Sequence, residues 1–314
     1  MPDDDRSRPI GADRAAGDAE PREPGGEPPR ALAIRMAEQL SAAGIEDARG
    51  EAWLLLAAAT GRARAALMAG SLDRVSPTEQ ARLAELVRRR AAREPIAYIL
   101  GEKEFWSLPF SVSPAVLIPR PETETVVEAV LDQVADRQVR LQILDLGTGS
   151  GCLLLALLVE LPNALGLGVD RSEEALRIAK RNAERLGLGD RARFAAGDWG
   201  CGLVGRYDVI VCNPPYVTES EWPALQPEVR AFEPAGALRA GSDGLDAYRA
   251  LAPDLARLLS PVGVVCVEIG QGQADAVVEL LAAHGLAVVE RRRDLAGIER
   301  CLVARHDPAD HSDR

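Results

Sequence analysis

Residues 141–151 read LQILDLGTGSG, and the strongly apolar stretch Cys152–Val159 follows at once. Leu141–Leu146 is an apolar run of strand length. Gly147, Gly149 and Gly151 end it in a turn that lets a ligand approach the backbone. The stretch behind it is predicted to be a helix over 151–160. Strand, glycine turn and helix together open a doubly wound sheet. Outward from this unit the two patterns alternate. Apolar runs at 164–170, 191–195, 207–212, 261–269, 286–292 and 299–305 read as further strands, and helical periodicity falls near 122–136, 172–186, 246–259 and 273–284. Such alternation predicts an α/β domain with a mostly parallel sheet and helices on both faces.

Upstream the pattern changes. Residues 1–29 are rich in Pro, Gly, Asp and Arg, lack periodic apolar positions, and are expected to be disordered. From residue 30 the periodicity is helical. Leu32, Met36 and Leu40 recur at four-residue spacing, Trp53–Leu56 mark a second helix ending at Thr60-Gly61, and Ser76-Pro77 with Glu79 form a capping box for a third. The run Arg88–Arg90 behind that helix reads as a solvated face, with a docking patch for RNA or an acidic partner as the alternative. Residues 30–93 thus make a small helical domain, 94–120 an irregular or hairpin-like linker, 121–305 the α/β domain, and 306–314 a polar tail.

Composition narrows the function. The net charge is −11, and the body stays acidic without residues 1–30, where eight acids face five arginines. That disfavours nucleic acid as the main partner. The five cysteines, Cys152, Cys201, Cys212, Cys266 and Cys301, are scattered without a C-x-x-C pair, and the three histidines form no zinc pattern. No metal site is expected. The N-terminus has no apolar signal core, and no apolar run is long enough to span a bilayer. A cytoplasmic enzyme is the expectation.

Two further residue groups carry chemistry. The second strand of the α/β domain ends in Asp170, about twenty residues beyond the glycine turn. A carboxylate there can accept both hydroxyls of an adenosyl ribose. The dinucleotide fingerprint would need a third glycine where Leu154 stands, which fits S-adenosylmethionine better than a pyrophosphate cofactor. After the third strand, Asp198 and Trp199 are placed to meet the adenine. The fourth strand ends in Asn213-Pro214-Pro215-Tyr216, at a strand end where such sheets bind ligands. An amide nitrogen is a poor nucleophile because its lone pair is delocalised. The Asn213 oxygen and the Pro214 carbonyl can each accept one N–H, hold the nitrogen in line and favour its tetrahedral form. Tyr216 can pack on the flat amide.

These residues resemble a family, the release factor glutamine methyltransferases of the HemK/PrmC type, over about residues 30–305. The likeness includes Pro95–Tyr98, Ile118–Glu124, Leu144–Gly151, Asp198-Trp199, Asn213–Tyr216, Glu233-Pro234, Gly241–Leu245, Glu268–Gly270 with Gln273, and Asp294–Gly297 with Arg300. It implies a Rossmann-like, seven-stranded class I methyltransferase domain joined to the helical domain. It implies that S-adenosylmethionine is held by Gly147, Thr148, Gly149, Ser150, Gly151, Asp170, Trp199 and Asn213. Asn213, Pro214, Pro215 and Tyr216 would bind the glutamine of a Gly-Gly-Gln loop in peptide chain release factors, with Asn213, Pro214 and Tyr216 catalytic. The segment Pro121–Glu124 is expected to line the same pocket. Two alternatives share the tetrapeptide: a glutamine methyltransferase of a ribosomal protein, and a DNA adenine-N6 methyltransferase, which the acidic body and the lack of a target-recognition domain oppose.

Overall fold

The computed structural model describes residues 26–70 and 74–308. The chain divides into two compact units, Met1–Val87 and Arg88–Arg314. In the first, residues 1–25 of the expected disordered extension lie outside the described residues, but its end is ordered. Glu27 pairs with Val75 in an antiparallel bridge, and the first helix, Pro29–Ala42, begins on its own proline. That helix buries Leu32, Met36 and Leu40. The helix Ala48–Thr60 buries Leu55 and Leu56 and stops at the left-handed Gly61. A five-residue helix, Arg64–Met68, follows, too short for periodicity to announce it. The helix Pro77–Ala91 has the expected capping box: the Glu79 N–H donates to Ser76 Oγ at 3.3 Å, and the Glu79 carboxylate accepts the Ser76 N–H at 2.7 Å.

The arginines ending that helix belong to the second unit and are not a solvated face throughout. Arg90 is buried and donates to Glu228 at 3.1 Å, while Arg93 donates to the other carboxylate oxygen at 2.9 Å. Successive helical side chains point about 100° apart, so a run of three cannot all face water.

Between Arg93 and the sheet the linker is structured. A helix, Ile96–Leu100, leads into a hairpin of β1 (Glu102–Phe105) and β2 (Leu108–Ser111). Its turn residues, Trp106 and Ser107, have φ of 52° and 56°. A two-residue hairpin turn demands this conformation, and glycine or asparagine usually supplies it. Here Glu124 accepts the Trp106 N–H at 2.7 Å and Glu160 accepts the indole N–H at 2.8 Å, which pins the turn.

The sheet has seven strands: β3 (Gln142–Leu146), β4 (Leu165–Asp170), β5 (Ala192–Ala196), β6 (Tyr207–Cys212), β7 (Leu259–Glu268), β8 (Leu286–Arg293) and β9 (Glu299–His306). Their order is β5-β4-β3-β6-β7-β9-β8, parallel except that β9 runs antiparallel to β7 and β8. The α/β expectation therefore holds, with each strand within two residues of its predicted bounds. Alternate side chains enter two cores. Ile143, Val209 and Val211 meet Val126, Val130 and the helix Cys152–Glu160, while Leu144, Ile210 and Cys212 meet the helices Asp246–Leu258 and Ala274–Ala282. β9 runs through His306, and the Asp307 N–H bonds to Gly285 O, so order extends past residue 305; residues 309–314 lie outside the described residues.

Register places the chemistry. Leu146 lies beside Val169 on one side and Cys212 on the other, and Cys212 lies beside Val267. One residue further, the carboxyl edge presents Asp170, Gly147, Asn213 and Glu268 in that order. The sheet order reverses between β3 and β6, so this edge opens a crevice at the switch point.

Candidate active site

A cavity of about 480 Å³ occupies that crevice, within the usual range for a small-molecule site. Of the glycine turn, Gly147, Thr148, Gly149 and Ser150 line it. A Cβ on Gly149, at φ 54°, would meet only the Gly147 carbonyl oxygen, at 3.9 Å, so its backbone is bare to a ligand. Gly151 is the exception among the expected residues. A Cβ there would meet Ala179 and Leu155 at 3.2 Å, so this glycine lets two helices pack.

Asp170 stands at the cavity wall with its carboxylate fixed from behind. Oδ2 accepts the Gly149 N–H at 2.9 Å and Oδ1 accepts the Ser172 N–H at 2.8 Å. It does not cap the next helix; Ser172 does, accepting from Ala175 N. A carboxylate has about four lone-pair sites, so roughly two remain for the cavity. Trp199, with φ 50°, also lines the cavity and lies against Gly147, where a Cβ would come 3.3 Å from its ring. Left-handed backbone at a bulky residue is strained, and such strain gathers at functional sites.

Asn213 lines the large cavity and also a second, of about 30 Å³, whose wall includes Pro214, Tyr216, Leu117 and Arg120. Pro215 faces the large one. Asn213 Nδ2 donates to Thr123 Oγ1 at 3.1 Å. Among the described residues, Asn213 Oδ1 and the Pro214 carbonyl accept no hydrogen bond. The loop is held by its neighbours. Gln273 Nε2 donates to the Tyr216 carbonyl at 3.0 Å, and Val217 exchanges backbone hydrogen bonds with Leu238 and Ala240.

The segment 121–124 divides its work. Thr123 lines the large cavity, while Glu124 pins the hairpin turn, and Pro121, Glu122 and Glu124 are not in the cavity wall. Arg120 lines both cavities and is held by buried Glu233, which also accepts the Ile118 N–H at 3.1 Å.

Two carboxyls are buried here, Asp145 in the wall of the large cavity and Glu268 at the strand end beside Asn213. Burial pushes Asp145 up to about 7, against the hydrogen bond from Thr148 Oγ1 at 2.7 Å. Burial likewise pushes Glu268 up to about 7. Neither was assigned a role from the sequence, because an acid inside an apolar strand shows its neighbours only once the register is known. Asn182 was also missed. It is fully buried, accepts the Ser111 N–H at 2.8 Å, and donates to Ser111 O at 3.1 Å and Ser150 O at 2.9 Å, tying the hairpin to the glycine turn. A signal existed: Ala175, Ile178, Ala179 and Asn182 share one helical stripe.

A seven-stranded sheet of this order, with a glycine turn and a strand-end acid at its switch point, defines the class I methyltransferase fold. A methyltransferase domain family matches residues 138–282, and the PrmC N-terminal domain family matches residues 32–101. The catalytic domain of hMettl16 in complex with a 3'UTR hairpin shares the fold, with a TM-score of 0.51 and 18% identity over 71% of this chain and 82% of that one. The release factor glutamine methyltransferase of Rhodospirillum rubrum is 47% identical over 281 residues, covering 88% of this chain and 85% of the relative. That of Bradyrhizobium diazoefficiens is 47% identical over 277 residues, covering 87% and 93%. This chain belongs to the release factor glutamine methyltransferase family. No helix among the described residues is long and apolar enough to cross a membrane.

Proposed function

We propose that the protein transfers a methyl group from S-adenosylmethionine to the side-chain amide nitrogen of the glutamine in the Gly-Gly-Gln loop of peptide chain release factors. The observation that carries this reading is the position of Asn213, which lines both cavities and stands beside Pro214 in the wall of the narrow one, with two acceptors, its own Oδ1 and the Pro214 carbonyl, that no described residue fills. The large cavity fits the cofactor. Bare backbone at Gly149 and the two remaining acceptor sites on Asp170 suit a ribose, and Trp199 offers an aromatic face to the adenine. When bound, S-adenosylmethionine supplies an electrophilic methyl on a sulfonium. The chain itself does the rest. Asn213 Oδ1 and Pro214 O take the two amide N–H groups, orient the nitrogen lone pair and stabilise the charge that develops on it. The N-protonated methylamide that first forms is a very strong acid and gives its proton to water, leaving the neutral methylamide, so no buried base is required. Relatives named for release factor glutamine support this substrate over a ribosomal protein or DNA.

The test is incubation with labelled cofactor and, separately, a release factor, ribosomal proteins and duplex DNA, followed by peptide mapping. Label on the Gly-Gly-Gln glutamine supports the reading; label confined to another substrate overturns it.

Asp170→Ala is expected to weaken cofactor binding by about 10–100-fold, since hydrogen bonds to a charged group are worth about 1.5–3 kcal/mol. Asp170→Asn, which keeps one oxygen, should lose less. Calorimetry on the folded variants decides; wild-type affinity in Asp170→Ala would remove the carboxylate from the cofactor site.

A further inference from the structure

S-adenosylmethionine has one anionic group, the carboxylate of its amino-acid end. Shutting an unpaired carboxylate into a cavity is costly, so the site needs a counter-charge for it. The glycine turn has few donors to spare. The N–H groups of Gly147 and Thr148 both go to Val169 O, that of Gly149 to Asp170 Oδ2, and that of Gly151 to Thr148 O. Among the described residues, three basic side chains line the large cavity: Arg120, Arg171 and Arg239. Arg171 and Arg239 are exposed. Arg171 follows Asp170, at the ribose end, and donates to Gly236 O at 2.9 Å. Arg239 lies over the ring of Trp222, 5.3 Å from its centroid.

Arg120 differs from both. It is half-buried and lines both cavities, as Asn213 does. Its Nη2 is paired with Glu233 Oε1, and the Glu233 side chain is only 1% exposed. Glu233 Oε2 accepts the Ile118 N–H at 3.1 Å, so one buried carboxylate holds the guanidinium and the backbone that leads to it. Among the described residues, Arg120 Nε and Nη1 have no acceptor. A guanidinium presents its donors in a fixed fork that matches a carboxylate. Pinned at one corner, Arg120 keeps the rest of its fork for a ligand.

Two acceptors compete for that fork: the cofactor carboxylate, and the carbonyl oxygen of the substrate amide in the narrow cavity. Chemistry separates them. A cation on the amide oxygen draws the nitrogen lone pair further into the carbonyl and slows its attack on the methyl. A cation on the cofactor carboxylate has no such cost. The methyl and the amino-acid chain are carried by the same sulfur, and Asn213, which must meet the methyl, lines the same two cavities as Arg120.

We infer that Arg120 binds the amino-acid carboxylate of the cofactor, and that Glu233 is a positioning residue which aims the guanidinium at it. The inference rests on S-adenosylmethionine filling the large cavity as proposed above. Arg120 thereby recognises the end of the cofactor that Asp170 and Trp199 leave unread.

The experiment is calorimetry on the full chain with two ligands, S-adenosylhomocysteine and its decarboxylated analogue, which lacks only the carboxylate. Melting temperature and single-turnover methyl transfer to a release factor are measured alongside. Wild type should prefer the intact ligand. Arg120→Met keeps the length and loses the charge; its Kd for S-adenosylhomocysteine should rise about 10–100-fold, the value of hydrogen bonds between charged groups. The analogue should bind Arg120→Met and wild type alike. Arg120→Lys should recover part of the preference, since an ammonium keeps the charge without the fork. Glu233→Gln still has an oxygen for the Ile118 N–H, and it should narrow the preference for the intact ligand; a merely structural Glu233 would weaken both ligands equally. A preference in Glu233→Gln as large as in wild type strikes Glu233 from the inference. If Arg120→Met binds both ligands as wild type does, the inference is wrong and the cofactor site stands. A fall in methyl transfer with cofactor affinity unchanged would give Arg120 to the substrate amide instead, and overturn it equally. If wild type binds neither ligand, the reading of the large cavity fails and the inference with it. Should Arg120→Met not fold, Arg120→Gln, neutral and still able to donate to Glu233, carries the same comparison.

Discussion

Asn213→Ala is expected to lower the single-turnover methyl-transfer rate by about 10²–10³-fold, the cost of one deleted transition-state hydrogen-bond partner. Cofactor affinity should change much less, since the glycine turn and Asp170 make a separate set of contacts around the large cavity. Asn213→Asp should also be impaired, for two reasons. Its added charge must be desolvated in a confined site. It also loses the N–H that now reaches Thr123 Oγ1 at 3.1 Å, and a carboxylate there would draw the threonine hydrogen toward itself. The measurement is a rate beside a dissociation constant for each variant. A near-wild-type rate for Asn213→Ala with cofactor saturating would reduce the tetrapeptide to a turn and put the substrate amide elsewhere.

The largest expected loss of stability is at Asn182. Asn182→Leu keeps the branched shape but strips partners from the Ser111 N–H and from the Ser111 and Ser150 carbonyls. Each buried polar group left unpaired costs about 1–3 kcal/mol. Water can reach Ser111 in part, so the sum should be about 3–5 kcal/mol. For a domain of this size that is a fall in melting temperature of roughly 6–20 °C. Because one bond lands on Ser150 of the glycine turn, cofactor affinity should fall too. Thermal unfolding monitored by circular dichroism checks it; a melting temperature within about 2 °C of wild type would show that the hairpin is secured otherwise.

Much of this architecture can be read from the residues alone, and the reasons are physical. Parallel strands buried on both faces appear as apolar runs, so β3 through β7 were visible with few errors at their ends. Glycine turns and strand-end acids announce themselves because few residue types can replace them. What stayed hidden depended on contacts distant in sequence. The Trp106-Ser107 turn lacks the usual glycine because Glu124 and Glu160 hold it open. Arg90 looked like one charge in a surface run until Glu228 was seen opposite it. Glu268 looked like the polar end of an apolar strand; pairing of Cys212 with Val267 sets it next to Asn213. The extent of the helical unit was also softer than its composition suggested, since the division falls inside the helix Pro77–Ala91.

The narrow cavity beside Asn213 has a consequence for how far the reaction runs. On the proposed reading, two acceptors must each receive a hydrogen from the same nitrogen. A primary amide has two hydrogens to give; once it carries a methyl it has one. The product therefore leaves one acceptor unfilled and brings a carbon beside it in the narrow cavity of about 30 Å³. The same groups that recognise the substrate thus reject its product, and the modification counts to one and stops.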